Sequence, residues 1–186
     1  MRDKNIYFNW IIERIKEKSR VLDAGCSPGT LSNRLLKLGH AVTGVDLKTV
    51  KIIEPRFKFI KGNLLEVDFS PSSLDYITAC HVLQHIGLGY QSFVPNIIHE
   101  AGDKTFIERA HKWLKPDGSI FIVIPIASKA QYVTMGYRWR VYDDNSIREL
   151  LHGLFKIVAS MSFDGAYDTK TMVDDAESIV IEAIKI

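Results

Sequence analysis

Three groups of residues have the types and spacing to do chemistry. The first is Val21 to Thr30, read V-L-D-A-G-C-S-P-G-T: a short apolar run carrying Asp23, a loop of small residues, then a helical pattern from Thr30 to Leu38 that Gly39 closes. Strand, glycine turn and helix together present backbone N–H groups and a helix N-terminus to a ligand at the carboxyl edge of a parallel sheet. Gly25 and Gly29 let a ligand approach the main chain, Ser27 suits the N-cap, and Pro28 suits the first helical turn. A Walker loop is excluded because no Lys follows. A dinucleotide loop would place glycine at 25, 27 and 30, and Ser27 and Thr30 occupy two of those places. The second group is Asp46, at the end of an apolar run Ala41–Val45 and 21 positions beyond Gly25. A carboxylate there can accept from both hydroxyls of a ribose, a property shared by several nucleoside cofactors.

The third group is Cys80-His81-Val82-Leu83-Gln84-His85-Ile86, after the apolar run Leu74–Ala79. If this segment turns into a helix, His81 and His85 fall at i and i+4 on one face. Such a pair can hold a metal, but the spacing supplies no third ligand and no zincin Glu, so no metal is expected. A proton-accepting or substrate-contacting role for one of them stands beside the plainer alternative of a histidine bonded to backbone. Cys26 and Cys80 end the first and fourth strands and are expected to face each other across the site, as small packing residues rather than a redox pair.

The elements that position these groups alternate between strand and helix. Ile6, Trp10, Ile11 and Ile15 predict an amphipathic helix over 5–18. Pro55 bounds a short helix after Asp46, Phe57–Lys61 reads as the third strand, and Leu74–Ala79 as the fourth. Asp103–Leu114 reads as a helix with Thr105 and Glu108 at capping-box spacing and a buried stripe of Phe106, Ile107, Ala110, Trp113 and Leu114. Lys115-Pro116-Asp117-Gly118 is a turn and Ser119–Ile124 a buried strand. Ser146 and Glu149 form a capping box for a helix ending at Gly153; Phe155–Phe163 and Ser178–Ile186 alternate as two final, antiparallel strands. Two long connections, 87–103 and 126–143, lie at the carboxyl edge, where loops carry specificity. They make Tyr90, Phe93 and His99 candidate substrate contacts. In the second, Tyr132, Tyr137, Arg138, Trp139, Arg140 and Tyr142 can either bind an acceptor or clamp the loop to the sheet.

Composition sets bounds. At 186 residues one domain is expected, and 46% hydrophobic with 25% charged residues is ordinary globular composition. A net charge of +2 gives no argument for nucleic acid or membrane. No apolar run has the length of a membrane span, no secretory signal pattern is present, and two cysteines make no disulfide framework; a cytoplasmic location is expected.

The pattern D-x-G-x-S-x-G from Asp23 to Gly29 resembles the first motif of the class I S-adenosylmethionine (SAM) methyltransferases, with Ser27 in place of the middle glycine. L-D-Y-I-T-A-C-H-V-L-Q-H-I resembles the fourth motif of their type 11 grouping, and W-L-K-P-D-G-S-I-F-I-V-I-P resembles the approach to their fifth strand. H-I-G-L-G-Y, followed later by G-D, is similar to an uncharacterised methyltransferase-like family. The resemblance implies an α/β, Rossmann-like, doubly wound fold: a mainly parallel seven-stranded sheet with an antiparallel last strand and helices on both faces. It implies SAM as cofactor and S-adenosylhomocysteine as product. Asp23, Gly25, Cys26 and Gly29 would hold the methionine end, Asp46 with Leu47 the ribose, and Asn63 with Leu64 the adenine edge. Cys80, His81 and His85 would border the transferring methyl, a histidine serving as base for a hydroxyl acceptor. Asn63 stands where the family usually has Asp, and Gln84 where Glu is common. The leading helix often lies over the cofactor in this family, which makes Tyr7 and Trp10 lid candidates. The implied reaction moves a methyl group to an oxygen or nitrogen of a small molecule; RNA or protein acceptors stay open, although the [DN]-P-P-[YF] motif of nucleic-acid amino methylation is absent. An NAD(P)-linked oxidoreductase and a non-catalytic partner subunit are the rival readings.

Overall fold

The computed structural model describes residues 5–88, 99–134, 138–163, 173 and 177–186. The elements are α1 (Asn5–Ile12), β1 (Arg20–Ala24), α2 (Thr30–Lys37), β2 (Ala41–Asp46), β3 (Phe57–Lys61), β4 (Leu74–Cys80), a 3₁₀ turn (Leu83–His85), α3 (Gly102–Trp113), β5 (Leu114–Ile126), β6 (Gln131–Thr134), β7 (Arg138–Val141), α4 (Asp144–Leu151), β8 (Phe155–Phe163) and β9 (Glu177–Lys185). Seven strands form one sheet in the order β3-β2-β1-β4-β5-β9-β8; β6 and β7 make a separate hairpin. The four pairings among β3, β2, β1, β4 and β5 are parallel, and β9 runs antiparallel to both β5 and β8. The doubly wound sheet with an antiparallel last strand is thus the one expected from sequence.

Period-two alternation splits the central strands between two cores. Val21, Tyr76, Phe121 and Val180 face a cluster with Tyr7 and Ile11 of α1 and Leu31 and Leu35 of α2. Their neighbours Leu22, Ile77, Ile122 and Ile181 face a cluster with Phe106 and Trp113 of α3 and Ile147 and Leu151 of α4. Trp113 is fully buried, as its place on the predicted stripe requires.

Several local expectations are corrected. The first helix stops at Ile12, because the chain tightens into 3-residue turns (Arg14 N–H to Ile11 O, Ile15 N–H to Ile12 O) and Lys18 adopts a positive φ. Its inward face is Tyr7, Phe8 and Ile11, leaving Ile6 49% exposed. No helix precedes Pro55: residues 47–56 run irregularly, with Val50 and Ile52 turned against Gly29. Helix α2 starts after Gly29, whose φ of 93° makes it the N-cap, so Ser27 and Pro28 lie ahead of the helix rather than in it. Helix α3 begins at Gly102 without a side-chain cap, and the Thr105–Glu108 box does not form. In α4 the capping box is Asp143 with Ser146, three residues earlier than predicted. The Lys115–Gly118 turn survives as a bulge within β5: Leu114 pairs with Leu74 and Ser119 with Tyr76, and the intervening residues loop out.

Candidate cofactor and acceptor site

Four strand ends, those of β1, β2, β4 and β5, meet at one edge, and the loop after β1 crosses it. The loop's backbone donors are turned inward. Gly25 and Cys26 N–H groups both reach Val45 O (2.8 and 3.3 Å), Ser27 N–H donates to Asp46 Oδ2 (2.9 Å), and Gly29 N–H donates to Cys26 O (2.6 Å). Pro28 has none. This differs from the expectation of a loop presenting N–H groups to a ligand: across 25–29 every amide donor is satisfied within the protein. Such a loop has no amide donor left over for a pyrophosphate, and the acceptor beside it is the Asp46 carboxylate.

Asp46 is that carboxylate. Its Oδ1 accepts the Lys48 N–H at 2.7 Å while Oδ2 holds Ser27. Each oxygen keeps a second acceptor position, enough for one hydroxyl each of a vicinal diol. Leu47, half-buried, follows it. Gly44 beneath is required by packing, since a Cβ there would stand 2.7 Å from Cys26 Sγ.

Asp23 lies under the loop, 3% exposed. Oδ2 accepts from Ser32 Oγ (2.5 Å) at the start of α2 and Oδ1 from Thr78 Oγ1 (3.0 Å) in β4. Burial outweighs these hydrogen bonds and raises its pKa to about 6. Asp23 therefore ties loop, helix and central strand together. Thr78 and Ser32 were missed from sequence; the one available signal was a hydroxyl in the middle of the otherwise apolar run Tyr76–Ala79.

Asn63 uses its amide oxygen locally, accepting the Leu65 N–H at 3.0 Å, and Leu64 beside it is buried. Cys26 packs over β2, and Cys80 packs into the cluster beneath α1. Both thiols are free, and burial, first among the causes, pushes both above the ordinary thiol range. Both pack as neutral thiols.

The segment after β4 is not a helix. His81 takes a φ of 54° while its N–H continues the ladder to Val123 O (2.8 Å), and only Leu83–His85 coil, as a 3₁₀ turn. The i, i+4 geometry for His81 and His85 is absent. Instead the two rings face different neighbours: His81 meets Tyr7 edge-on at 5.5 Å, and His85 meets Trp139 at 5.8 Å. Val82, between them, lies on Gly25; a Cβ built on Gly25 would be 2.6 Å from Val82 Cγ2. Nothing in the sequence marked Val82. His85 is pushed down to about 4, first by burial and then by the Arg140 guanidinium. Gln84 is 3% exposed, and its Oε1 meets no donor among the described residues.

The two lid candidates separate. Tyr7 is buried between His81, Phe8 and Phe163, whereas Trp10 lies under the Arg14 guanidinium (3.8 Å) and against Phe121. The Arg-aromatic connection separates as well. Trp139, Arg140 and Tyr142 are buried and clamp the hairpin; Tyr132, 45% exposed, stacks on Arg138 at 3.8 Å. Tyr90, Phe93 and Tyr137 lie outside the described residues. His99 is exposed, its N–H bonded to Gly87 O. A groove of about 770 Å³ bounded by Asp103, Tyr132, Arg140, Tyr142, Glu149 and His152 involves none of the loop residues or Asp46.

Comparison with known proteins agrees with this geometry. A family model described as a methyltransferase domain matches residues 22–122, more than half of the chain. A ubiquinone biosynthesis O-methyltransferase from Actinobacillus pleuropneumoniae serotype 5b is 30% identical over 106 residues, covering 55% of this chain and 44% of that protein. The chain spans less than half the length of the curated relatives it matches. Among solved structures, the Burkholderia thailandensis 1,6-didemethyltoxoflavin-N1-methyltransferase with bound S-adenosylhomocysteine aligns with a TM-score of 0.72 at 22% identity, covering 96% of this chain and 76% of that one. The [4+2]-cyclase SpnF aligns with a TM-score of 0.75 at 15% identity, covering 96% and 79%, so the fold alone does not name the reaction. The family match, made across the loop, Asp46 and the β4 edge, shows the family: the chain belongs to the methyltransferase-domain family of class I SAM-dependent methyltransferases.

Proposed function

We propose that this protein transfers a methyl group from SAM to an oxygen or nitrogen of a small-molecule acceptor. The observation that carries the reading is the loop 25–29 with all its amide donors turned inward beside the Asp46 carboxylate. When bound, SAM supplies an electrophilic methyl on a positively charged sulfur that leaves as a neutral thioether. Asp46 would hold the ribose, Gly25 and Gly29 the methionine part, and Leu64 with Asn63 the adenine edge. Little acid catalysis is called for, so the protein's task is alignment and exclusion of water.

His81 and His85 sit at the acceptor side. A neutral His85 imidazole keeps a lone pair for the acceptor's hydroxyl or amine hydrogen at any pH well above 4. So weak a base orients the nucleophile by accepting its hydrogen bond and takes the proton as the methyl bond forms. The relatives named for ubiquinone biosynthesis favour a ring hydroxyl as the first acceptor to try. Among the described residues no helix is long and apolar enough to cross a membrane.

The test is a parallel calorimetric titration with SAM, S-adenosylhomocysteine and NAD, followed by a screen of phenols, catechols and small amines for S-adenosylhomocysteine release. Binding of the first two without NAD, and turnover with a ring hydroxyl, is the expected result. Binding of NAD alone would overturn the reading.

A further inference from the structure

Arg140 is 6% exposed in the short strand β7, far along the chain from the β4 edge, and its guanidinium has three different partners. Nη1 donates to Ile86 O at 2.8 Å, Nη2 donates to Glu100 O, and Nε pairs with Asp103 Oδ2 at 3.1 Å. Ile86 directly follows the 3₁₀ turn that carries His85. Glu100 and Asp103 open the way into α3, at the other end of the connection. The same two chain ends are further joined by His99 N–H to Gly87 O (2.7 Å) and by Gly87 against Gly102, where an added Cβ would be 2.7 Å from Gly87 Cα. Tyr142 completes the arrangement by donating its hydroxyl to Asp103 Oδ2 at 3.0 Å. The residue before Arg140, Trp139, lays its ring against His85.

A guanidinium is the side chain this place needs. Its flat fork reaches two carbonyls and a carboxylate in fixed directions, which an ammonium cannot do. A buried charge of this kind costs heavily unless paired, and Asp103 pairs it. The charged group facing His85 is Arg140, from β7; behind it stand Asp103 from α3 and Tyr142. His81 and Gln84 are its polar neighbours along its own segment.

We propose that Arg140 is a positioning residue of the transfer site: it locks the turn after β4 in place and, with Trp139, holds the His85 imidazole correctly turned, without touching either substrate. This rests on the reading of that turn as the acceptor side. The hairpin β6–β7 is then the brace of the site, which explains why an Arg-aromatic cluster is buried so close to a methyl-transfer edge.

The experiment compares Arg140→Met and Arg140→Lys with the parent protein, and uses His85→Gln to assign the imidazole resonance. Three readouts need no acceptor: the NMR titration midpoint of His85, amide exchange across 83–88, and S-adenosylhomocysteine affinity by calorimetry. In Arg140→Met the midpoint rises from about 4 part of the way towards the ordinary value of about 6.5, burial holding it below that value, and exchange across 83–88 quickens about tenfold or more. In Arg140→Lys the charge remains and the fork is lost, so the midpoint stays low while exchange still quickens. Cofactor affinity stays within about threefold in both, since the loop and Asp46 are held by Val45 and by each other and meet the clamped turn only through Val82. An unchanged midpoint and unchanged exchange in both variants would overturn the proposal. So would a joint collapse of affinity and melting temperature in both, which would make Arg140 a general structural residue. If the parent protein binds no S-adenosylhomocysteine, the methyl-transfer reading fails, while titration and exchange still judge the link between Arg140 and His85.

Discussion

Val82 rests directly on Gly25, close enough that a Cβ on the glycine would stand 2.6 Å from Cγ2 and 2.7 Å from the valine's own Cβ. The contact joins the loop after β1 to the turn after β4, the two halves of the site. Gly25 also has a φ of 71°, where a side chain is strained by about 1–2 kcal/mol. Gly25→Ala is therefore expected to cut S-adenosylhomocysteine affinity about tenfold or more, with a modest fall in melting temperature. Gly25→Ala combined with Val82→Gly should recover part of that affinity, because removing the valine's Cβ and methyls relieves the clash while the strain at residue 25 stays. Calorimetry on the single and double variants reads both effects; a double variant no better than the single would show that strain alone matters.

Asp46 sits between two backbone donors, Ser27 and Lys48, and offers what remains of its acceptor capacity outward. Asp46→Asn replaces one oxygen by an NH₂ that would point at an N–H or at the ribose. Cofactor affinity should fall about 10- to 100-fold, or about 1.4–2.8 kcal/mol. An affinity equal to the parent's would remove the ribose assignment.

Asp23 makes stability depend on pH in an unusual direction. Its carboxyl titrates at about 6 in the fold, against about 3.9 in an unfolded chain. The native state holds the proton more tightly, so this group's contribution is lost as pH rises from about 4 to about 6 and is level above that. Two units correspond to about 3 kcal/mol. Urea melts of the parent and Asp23→Asn across that window should show the variant gaining on the parent as pH rises, and a constant gap above pH 6.5 or so. A gap that does not change with pH would mean that Asp23 is not protonated in the fold near neutrality.

His85 works in the opposite sense. The folded protein protonates it only near pH 4, whereas an unfolded chain does so near 6.5. Its contribution to stability should fall as pH drops from about 6.5 to 4, by up to about 3 kcal/mol, against the Asp23 trend, so the parent should lose that much relative to His85→Gln over this window. Where an acceptor is found, the acid limb of the rate profile assigned to His85 should lie well below pH 6. A limb at about 6.5 would place the proton acceptor elsewhere, with His81 the first residue to test.

The architecture was legible because its signals are periodic or positional. Alternation in β8 and β9, the stripe of α3 and the acid ending β2 each require one residue to know only its near neighbours. Boundaries set by side chains reaching across the fold were not legible. Ser27 and Pro28 look like a helix start until Gly29, at a positive φ and with Val50 and Ile52 packed where a side chain would go, takes the N-cap instead. His81 and His85 look like a helical pair until the β4–β5 ladder extends to His81 and leaves it at a φ no helix has. The clamp by Arg140 depends on carbonyls some 40 and 54 residues away in the chain, and no spacing rule encodes that.

The sheet order has a consequence for how the protein is made. β9 lies between β5 and β8, so among the described strands β8 pairs with one that follows it in the chain and not with the finished parallel half. A nascent chain that has emerged through residue 163 carries a finished parallel half, β3 to β5, with an open edge along β5 and β8 unattached. The turn after β4, braced by β7 near the end of β5, can therefore form before the sheet closes, whereas the edge itself stays exposed to other chains until residues 177–185 leave the ribosome.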